Sequence, residues 1–294
     1  MGRWPHGGTS LAVIGHPIAH SVSPQMHNAA LAELARTDPR FADWRYSAFD
    51  VEPEKLPAAL DLMRARGFRG VNLTVPHKVL AVGLVSGIDQ DGSDAGAVNT
   101  LLLDGDGWRG FNTDGHGLAA GIRDDLGLEL KGTPVLLLGA GGAARGAAAE
   151  CLRAGCAGLT ILNRSQATLA ALLAQVANVA PGIPRQGLLA AGAGQALASG
   201  TLVINATSAG LKPGDAAPAL LADFPGAAAV YDMIYNPRQT PLLAEAARLG
   251  IRGANGLGML VHQGAKALEI WTGVPAAKLA PAMRAAASKA LGYA

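Results

Sequence analysis

Residues 133–144 read TPVLLLGAGGAA, and this stretch decides the fold. Val135-Leu-Leu-Leu138 is a short apolar run bounded by Pro134 and Gly139, the mark of a strand buried on both faces. Gly139-Ala140-Gly141-Gly142-Ala143-Ala144 follows at once and opens an Ala-rich segment that reads as helix. Strand, glycine turn and helix in that order form G-x-G-G-x-A, a variant of the dinucleotide-binding fingerprint. Gly139 permits the tight turn, Gly141 lets the backbone approach a pyrophosphate, and Ala144 keeps helix and strand close. The helix start then offers free N–H groups and a positive dipole end to phosphates. A glycine turn that merely packs is the plain alternative, and the strand–turn–helix context weighs against it.

Outward from this point the same alternation continues. Downstream, residues 159–163, 201–206, 227–232 and 251–253 read as further strands, with helices near 166–177 and 240–249. Residues 257–272 and 275–291 read as two closing helices, and the Gly/Ala-rich stretch 192–200 as a loop and short helix. Upstream, strands are expected at 11–15, 45–51, 70–75, 97–104 and 108–112, and helices start at Pro24 and Pro53, where a missing N–H costs nothing. Asp104-Gly-Asp-Gly107 reads as a hairpin turn, so this first sheet is mixed. Alternating strands and helices give an α/β protein, and the break between its two series falls near Gly115–Gly117.

The tip of the second downstream strand bears on which dinucleotide is bound. A site for NAD places an Asp or Glu there for the ribose 2′-OH. Here the tip is Asn163-Arg164-Ser165-Gln166, without an acid. A guanidinium suits a 2′-phosphate, which it can bind bidentately, so NADP(H) is favoured. Arg164 as a solvated side chain at a strand end is the bland alternative.

Composition narrows the class. The chain has 294 residues, room for two domains at about 150 residues each. Half of it is apolar and 16% is charged, so global disorder is excluded. A net charge of +2 gives no electrostatic reason to expect nucleic acid or an anionic membrane as partner. The 39 glycines carry no Gly-X-Y period, which excludes collagen. Two cysteines, Cys151 and Cys156, read as small core residues of a reducing compartment, and no signal peptide or membrane span is visible. A cytoplasmic location is expected. The leading MGRWPHGG suggests no structure of its own.

Four polar clusters of the first series are not accounted for by core packing. Ser21 and Ser23 flank a helix start at Pro24; one serine would read as an N-cap, but two with the helix N–H groups point to a carboxylate. Asn72 and Thr74 share one face of a strand that Lys78 follows. Asn99 and Thr100 interrupt an apolar strand, and Asn112-Thr113-Asp114 ends the last one. Convergent polar groups at strand ends line clefts, where Lys78 and Asp114 would make an acid–base pair. Singly, such a Lys is more often solvated and an Asp before Gly more often a turn former. His16 and His20 stand four apart, but Pro17 breaks the helical face that a metal site would need, so no metal is expected.

With these residues assembled, the chain closely resembles the shikimate dehydrogenase family. The resemblance runs through GHPIAHSVSPQMHNAAL, GVNLTVPHK, AGAVNTL, GFNTDGHG, LLGAGGAAR, LNRS, INATSAG, YDMIYNPRQTPLL and GLGMLVHQGAKALEIWTG, almost from end to end. It implies two α/β domains. Residues 1–114 with 257–294 would be a mixed-sheet substrate and catalytic domain, to which the closing helices return; residues 115–256 would be a Rossmann-type NADP-binding domain. It further implies NADPH-dependent, reversible reduction of 3-dehydroshikimate to shikimate in aromatic amino acid biosynthesis. Ser21 and Ser23 would then hold the substrate carboxylate. Asn72, Thr74, Asn99, Asp114 and Gln263 would bind ring hydroxyls with Tyr235 nearby, and Lys78 and Asp114 would be the catalytic pair. Gly139, Ala140, Gly141, Gly142 and Ala143 would line the pyrophosphate, Asn163, Arg164 and Ser165 the adenosine ribose and its phosphate, and Met233 and Gly256 the nicotinamide.

One departure matters. NADP-using members often carry a second Arg where this chain has Thr168, which leaves Arg164, with help only from Arg145, to clamp the 2′-phosphate. A quinate/shikimate dehydrogenase using both NAD and NADP therefore stays open beside the main reading, although the Ser21/Ser23 pair favours shikimate. A catalytically silent NADP(H)-binding sensor is the reading from another class, and the presence of both Lys78 and Asp114 argues against it. The expected partners are small molecules only, for a monomer or homodimer, with no nucleic acid and no membrane.

Overall fold

The computed structural model describes residues 9–189 and 197–293, so the N-terminal MGRWPHGG and most of the stretch 192–200 lie outside it. The chain divides into two compact units, Met1–Thr113 with Val261–Ala294 and Asp114–Leu260.

In the first unit the order is β1 (Ser10–Gly15), α1 (Ser23–Thr37), β2 (Arg45–Asp50), α2 (Leu56–Ala65), β3 (Phe68–Leu73), α3 (His77–Leu80), β4 (Gly87–Ile88), α4 (Gln90–Ala95), β5 (Thr100–Asp104) and β6 (Gly107–Phe111). The sheet runs β2-β1-β3-β5-β6-β4. β1 pairs in parallel with β2 and β3, whereas β5 is antiparallel to both β3 and β6, so the sheet is mixed as expected. Gly105, at φ +58°, makes the β5–β6 turn that the Asp-Gly-Asp-Gly sequence announces. Ala12, Ile14, Leu60, Met63, Phe68, Val71, Leu101 and Trp108 build a core beneath the sheet.

Several boundaries differ from the sequence reading; the strand expected at 97–104 begins only at Thr100, so Asn99 lies just before it. Pro53 starts a 3-10 turn, Pro53–Lys55, and the α-helix begins only at Leu56. β3 ends at Leu73, because Pro76 has no N–H for a ladder and Thr74 O accepts the His77 N–H to form a turn.

In the second unit the order is α5 (Asp114–Leu126), β7 (Pro134–Leu138), α6 (Gly142–Arg153), β8 (Gly158–Asn163), α7 (Gln166–Gln175), β9 (Arg185–Leu189), β10 (Thr201–Asn205), β11 (Ala227–Asp232), α8 (Pro241–Arg248) and β12 (Arg252–Asn255). The sheet is parallel throughout, in the order β12-β11-β10-β7-β8-β9. Counted from β7 as the first strand this is 3-2-1-4-5-6, the doubly wound Rossmann arrangement, whose switch point lies between β7 and β10. Apolar clusters cover the sheet on both faces, around Leu137, Ile161 and Ile204 on one and Leu136, Val203 and Val230 on the other. That double burial is why the strands read as unbroken apolar runs.

The two closing helices are α9 (Leu257–Thr272) and α10 (Ala276–Ala290). α10 packs on α1, and the Trp271 indole of α9 donates to Leu101 O at 2.9 Å. Gly70 in β3 makes room for that indole: a Cβ there would overlap it. Among the described residues no helix is long and apolar enough to cross a membrane.

Candidate active site

The polar groups of the first unit are joined by hydrogen bonds. α1 has Val22 at its N-cap, with no side-chain cap, and Ser23 is its first residue. Ser21 Oγ accepts the Ser23 N–H at 3.3 Å, so Ser21 rather than Ser23 satisfies the helix start. The Tyr46 phenol donates to Asn72 Oδ1 at 2.7 Å. Asn72 Nδ2 donates to Asn99 O at 3.1 Å and to Thr100 Oγ1 at 3.0 Å. Asn99 Nδ2 donates to Thr113 Oγ1 at 3.0 Å and reaches Gln263 Oε1 at 3.5 Å. The Asn99 Oδ1 accepts the Thr113 N–H at 2.9 Å. The structure thus joins Asn72, Asn99 and Gln263 in one hydrogen-bonded series, while Ser21 and Ser23 bond each other at the start of α1.

Thr74 and Lys78 flank that series. Thr74 follows β3 directly, and Lys78 O accepts the Val98 N–H at 2.8 Å, which seats α3 beside Asn99. Asp114 opens α5 of the second unit, one residue after Thr113. Tyr235 also belongs to the second unit, where burial pushes its phenol pKa up.

Tyr46 and His27 lie beside these groups, although the sequence reading gives neither a role. Both are buried. Their rings stack at 4.0 Å and 11°. His27 Nδ1 lies 2.9 Å from Ser23 O, a carbonyl that can only accept, so Nδ1 carries the proton. Its Nε2 has no partner, and burial pulls the imidazole pKa down to about 4, so the ring is neutral. Burial also pushes the Tyr46 phenol well above its ordinary range, which keeps it a donor.

The second unit carries the glycine turn at its switch point. Gly139 sits at φ +104°, where other residues are strained, and an added Cβ would press on Thr207. Gly141 is the N-cap of α6 and Gly142 its first residue. A Cβ built on either would meet nothing within 4 Å, so the helix start is an open cradle of backbone N–H groups. Ala143 is exposed beside it, and Ala144 is fully buried against the strand.

A cavity of about 650 Å³ joins Gly139, Ala140 and Gly141 to Asn163, Arg164 and the loop Thr207–Ala209. The residues present fit an NADP(H): an uncovered helix start for the pyrophosphate and an exposed Arg164, with no carboxylate at the β8 tip, for the 2′-phosphate. Ser165 caps α7 by accepting the Thr168 N–H, and Asn163 Nδ2 donates to Thr168 Oγ1 at 2.6 Å. Thr168, in the place of a second Arg, is therefore tied to the strand tip. Met233 N donates to Asn205 O, and Gly256 lies so close that a Cβ there would overlap Met233 O. These two residues are thus neighbours. Beneath them, buried Asp232 accepts from Asn205 Nδ2 at 2.9 Å, Ile234 N at 3.0 Å and Thr240 Oγ1 at 2.6 Å, a network the motifs do not single out. Among the described residues no cluster of three or more His, Cys, Asp or Glu is placed to hold a metal ion.

Residues 13–101 match the shikimate dehydrogenase substrate binding domain and residues 256–287 the shikimate 5′-dehydrogenase C-terminal domain. The shikimate dehydrogenase (NADP(+)) of Geobacter metallireducens is 42% identical over 266 residues, which cover 90% of this chain and 91% of that protein. The chain belongs to the shikimate dehydrogenase family. Within this family, the crystal structure of shikimate 5-dehydrogenase from Thermus thermophilus in complex with NADP(H) and shikimate superposes with a TM-score of 0.80 at 36% identity. The match covers 95% of this chain and 99% of that one. The ligand-free 5-ketofructose reductase of a Gluconobacter strain superposes equally well, with a TM-score of 0.81 at 31% identity over 96% and 99% of the two chains. The shikimate dehydrogenase fold therefore does not fix the substrate; the side chains of the site must.

Proposed function

We propose that the protein catalyses the NADPH-dependent, reversible reduction of 3-dehydroshikimate to shikimate. The observation that carries this reading is the hydroxyl and amide lining of the first unit, with the Ser21–Ser23 pair at the start of α1 and the hydrogen-bonded series from Tyr46 through Asn72 and Asn99 to Gln263, suited to a small carboxylate bearing several hydroxyls. Family membership and the acid-free tip of β8 at Arg164 support it.

In this reading Ser21, Ser23 and the start of α1 hold the substrate carboxylate. Asn72 spends both Nδ2 hydrogens on Asn99 O and Thr100, so toward a ring hydroxyl it acts as an acceptor through Oδ1. Thr74, Asn99, Asp114, Tyr235 and Gln263 complete the hydroxyl contacts. Bound NADPH supplies the hydride to the carbonyl carbon. Lys78 gives a proton to the carbonyl oxygen as charge builds there, and Asp114 holds the ammonium in place. The neutral amine then regains its proton from solvent. On the cofactor side, Gly139, Ala140, Gly141, Gly142 and Ala143 receive the pyrophosphate, Asn163, Arg164 and Ser165 the ribose and its phosphate, and Met233 and Gly256 the nicotinamide. The mixed-sheet unit is accordingly the substrate and catalytic domain and the parallel-sheet unit the NADP-binding domain, in a cytoplasmic enzyme whose partners are small molecules.

The test is the initial rate of shikimate oxidation with NADP⁺ and with NAD⁺ side by side. A rate with strong NADP⁺ preference is expected. No rate with either nucleotide overturns the enzymatic reading and leaves a nucleotide-binding protein. One observation favours a second reading. Thr168, bonded to Asn163, provides no second cation for the 2′-phosphate, and comparable rates with both nucleotides would place the protein with dual-cofactor quinate/shikimate dehydrogenases.

A further inference from the structure

We propose that Lys212 supplies, together with Arg164, the positive charge that holds the 2′-phosphate of NADP(H), and so helps to set the choice between the two nicotinamide dinucleotides. The proposal rests on the NADP(H) reading of the cavity in the second unit. Lys212 lies on the loop that follows β10 and lines the same cavity of about 650 Å³ as Gly141, Asn163 and Arg164. It is exposed, as Arg164 is, and among the described residues neither its ammonium nor the Arg164 guanidinium has a hydrogen-bond or ion-pair partner. A phosphate monoester carries a charge of about −1.5 to −2 at neutral pH, more than one guanidinium offsets. Thr168, tied to Asn163, brings no charge, so the second cation must come from another element.

Local structure fixes Lys212 on the cavity wall. Lys212-Pro213-Gly214-Asp215 is a tight turn, closed by the Asp215 N–H donating to Lys212 O at 3.0 Å. Pro213 stands second and Gly214, at φ +86°, third, the residues that a type II turn favours. The Asp215 carboxylate locks the turn again, accepting through Oδ2 from the Lys212 N–H at 2.9 Å and the Gly210 N–H at 3.2 Å. Asp215 also lines the cavity, where a bare carboxylate would repel a phosphate. Two backbone N–H groups offset its charge instead. The dinucleotide brings two anionic groups to this cavity, and the course of the loop separates them. Near the pyrophosphate it is Thr207 that a Cβ on Gly139 would touch. Past the turn, Ala217 and Ala219 pack on an apolar cluster that includes Leu162, the neighbour of Asn163 at the β8 tip. The loop therefore runs from the glycine turn toward the β8 tip, and Lys212 stands on that course.

The experiment is calorimetric titration of NADP⁺ and of NAD⁺ into the full-length protein without substrate, for wild type, Lys212→Gln and Lys212→Arg. The side chain is exposed, so neither substitution disturbs the core. A hydrogen bond to a charged group is worth about ten-fold in affinity. Lys212→Gln is expected to weaken NADP⁺ binding by about that factor and to leave NAD⁺ binding unchanged, since NAD⁺ has no 2′-phosphate. Lys212→Arg keeps the charge and is expected to keep the NADP⁺ affinity. Unchanged NADP⁺ affinity in Lys212→Gln overturns the proposal. An equal loss for both nucleotides also overturns it and places the ammonium at the pyrophosphate. A loss in Lys212→Arg as large as in Lys212→Gln does so too, because charge is then not what matters. Wild-type protein that binds NADP⁺ no more tightly than NAD⁺ overturns the proposal while leaving a dinucleotide site in place. Wild-type protein that binds neither nucleotide overturns the cofactor reading of the cavity and the proposal with it.

Discussion

Two side chains carry the predictions that belong to single residues. Lys78 stands at the start of α3 with its backbone fixed on Val98. As a proton donor it matters only while charge develops on the substrate oxygen. Lys78→Ala is therefore expected to lower kcat by about 10²–10⁴-fold with shikimate affinity little changed; an unaltered kcat would remove Lys78 from the mechanism. His27 works by staying neutral. Its pKa is about 4 in the folded protein against 6.5 when unfolded, so between those values the unfolded chain binds a proton that the folded one does not. Stability contributed by the neutral ring is complete above pH 6.5 and falls as pH drops toward 4, by about 3 kcal/mol at most. Urea unfolding followed by tryptophan fluorescence between pH 7 and pH 4 reads this. His27→Phe is expected to flatten the slope relative to wild type, and parallel slopes would show that another group titrates. Neither Tyr46 nor His27 was legible as a site residue, because the contact that gives Tyr46 its meaning spans 26 positions, from β2 to β3.

At the level of elements, legibility followed burial. The strands of the second sheet that are apolar throughout, such as Val135–Leu138, declare themselves in the sequence, as does the Asp-Gly-Asp-Gly turn. β9 does not: Arg185-Gln-Gly-Leu-Leu189 is an edge strand, only partly buried, with Gly187 at its centre, and it looks like loop until β8 is there to pair with it. The two-residue β4 and the single-turn α3 are too short to carry any period. Ser23 was ambiguous for a related reason. The sequence shows a serine near a helix start, but only geometry shows that Val22 is the cap and that Ser21 Oγ accepts the Ser23 N–H. The packing of α9 on β3 gives the test that belongs here. Gly70 touches the Trp271 indole so closely that Gly70→Ala must push the helix or the ring aside. Overpacking of this kind costs about 1–3 kcal/mol. The urea midpoint read by tryptophan emission is expected to fall accordingly, and a midpoint equal to wild type would show that the indole moves freely.

For the whole molecule, the two units differ in what they are built to bind, and their tryptophans make this measurable. Each has its own sheet and its own core, the condition for a segment to unfold as a body of its own. Residues 114–260 contain no tryptophan; Trp44, Trp108 and Trp271 lie in the first unit and Trp4 lies outside the described residues, so tryptophan emission carries no signal from residues 114–260. A ligand that binds only the folded form stabilises what it binds, by about 2.7 kcal/mol at one hundred times its Kd. Shikimate, which the proposed reading places on Ser21, Ser23, Asn72, Asn99 and Gln263, is expected to raise the unfolding midpoint seen by tryptophan. NADP⁺, which the proposed reading places on the glycine turn and Arg164, is expected to leave that midpoint in place and to raise a second transition seen by far-ultraviolet circular dichroism. The helix α9 runs from Leu257 to Thr272 across the division at Leu260 and is the element through which the two could melt as one. Should NADP⁺ raise the tryptophan-reported midpoint as far as the dichroism one, α9 transmits the stabilisation and the two sheets form a single cooperative body.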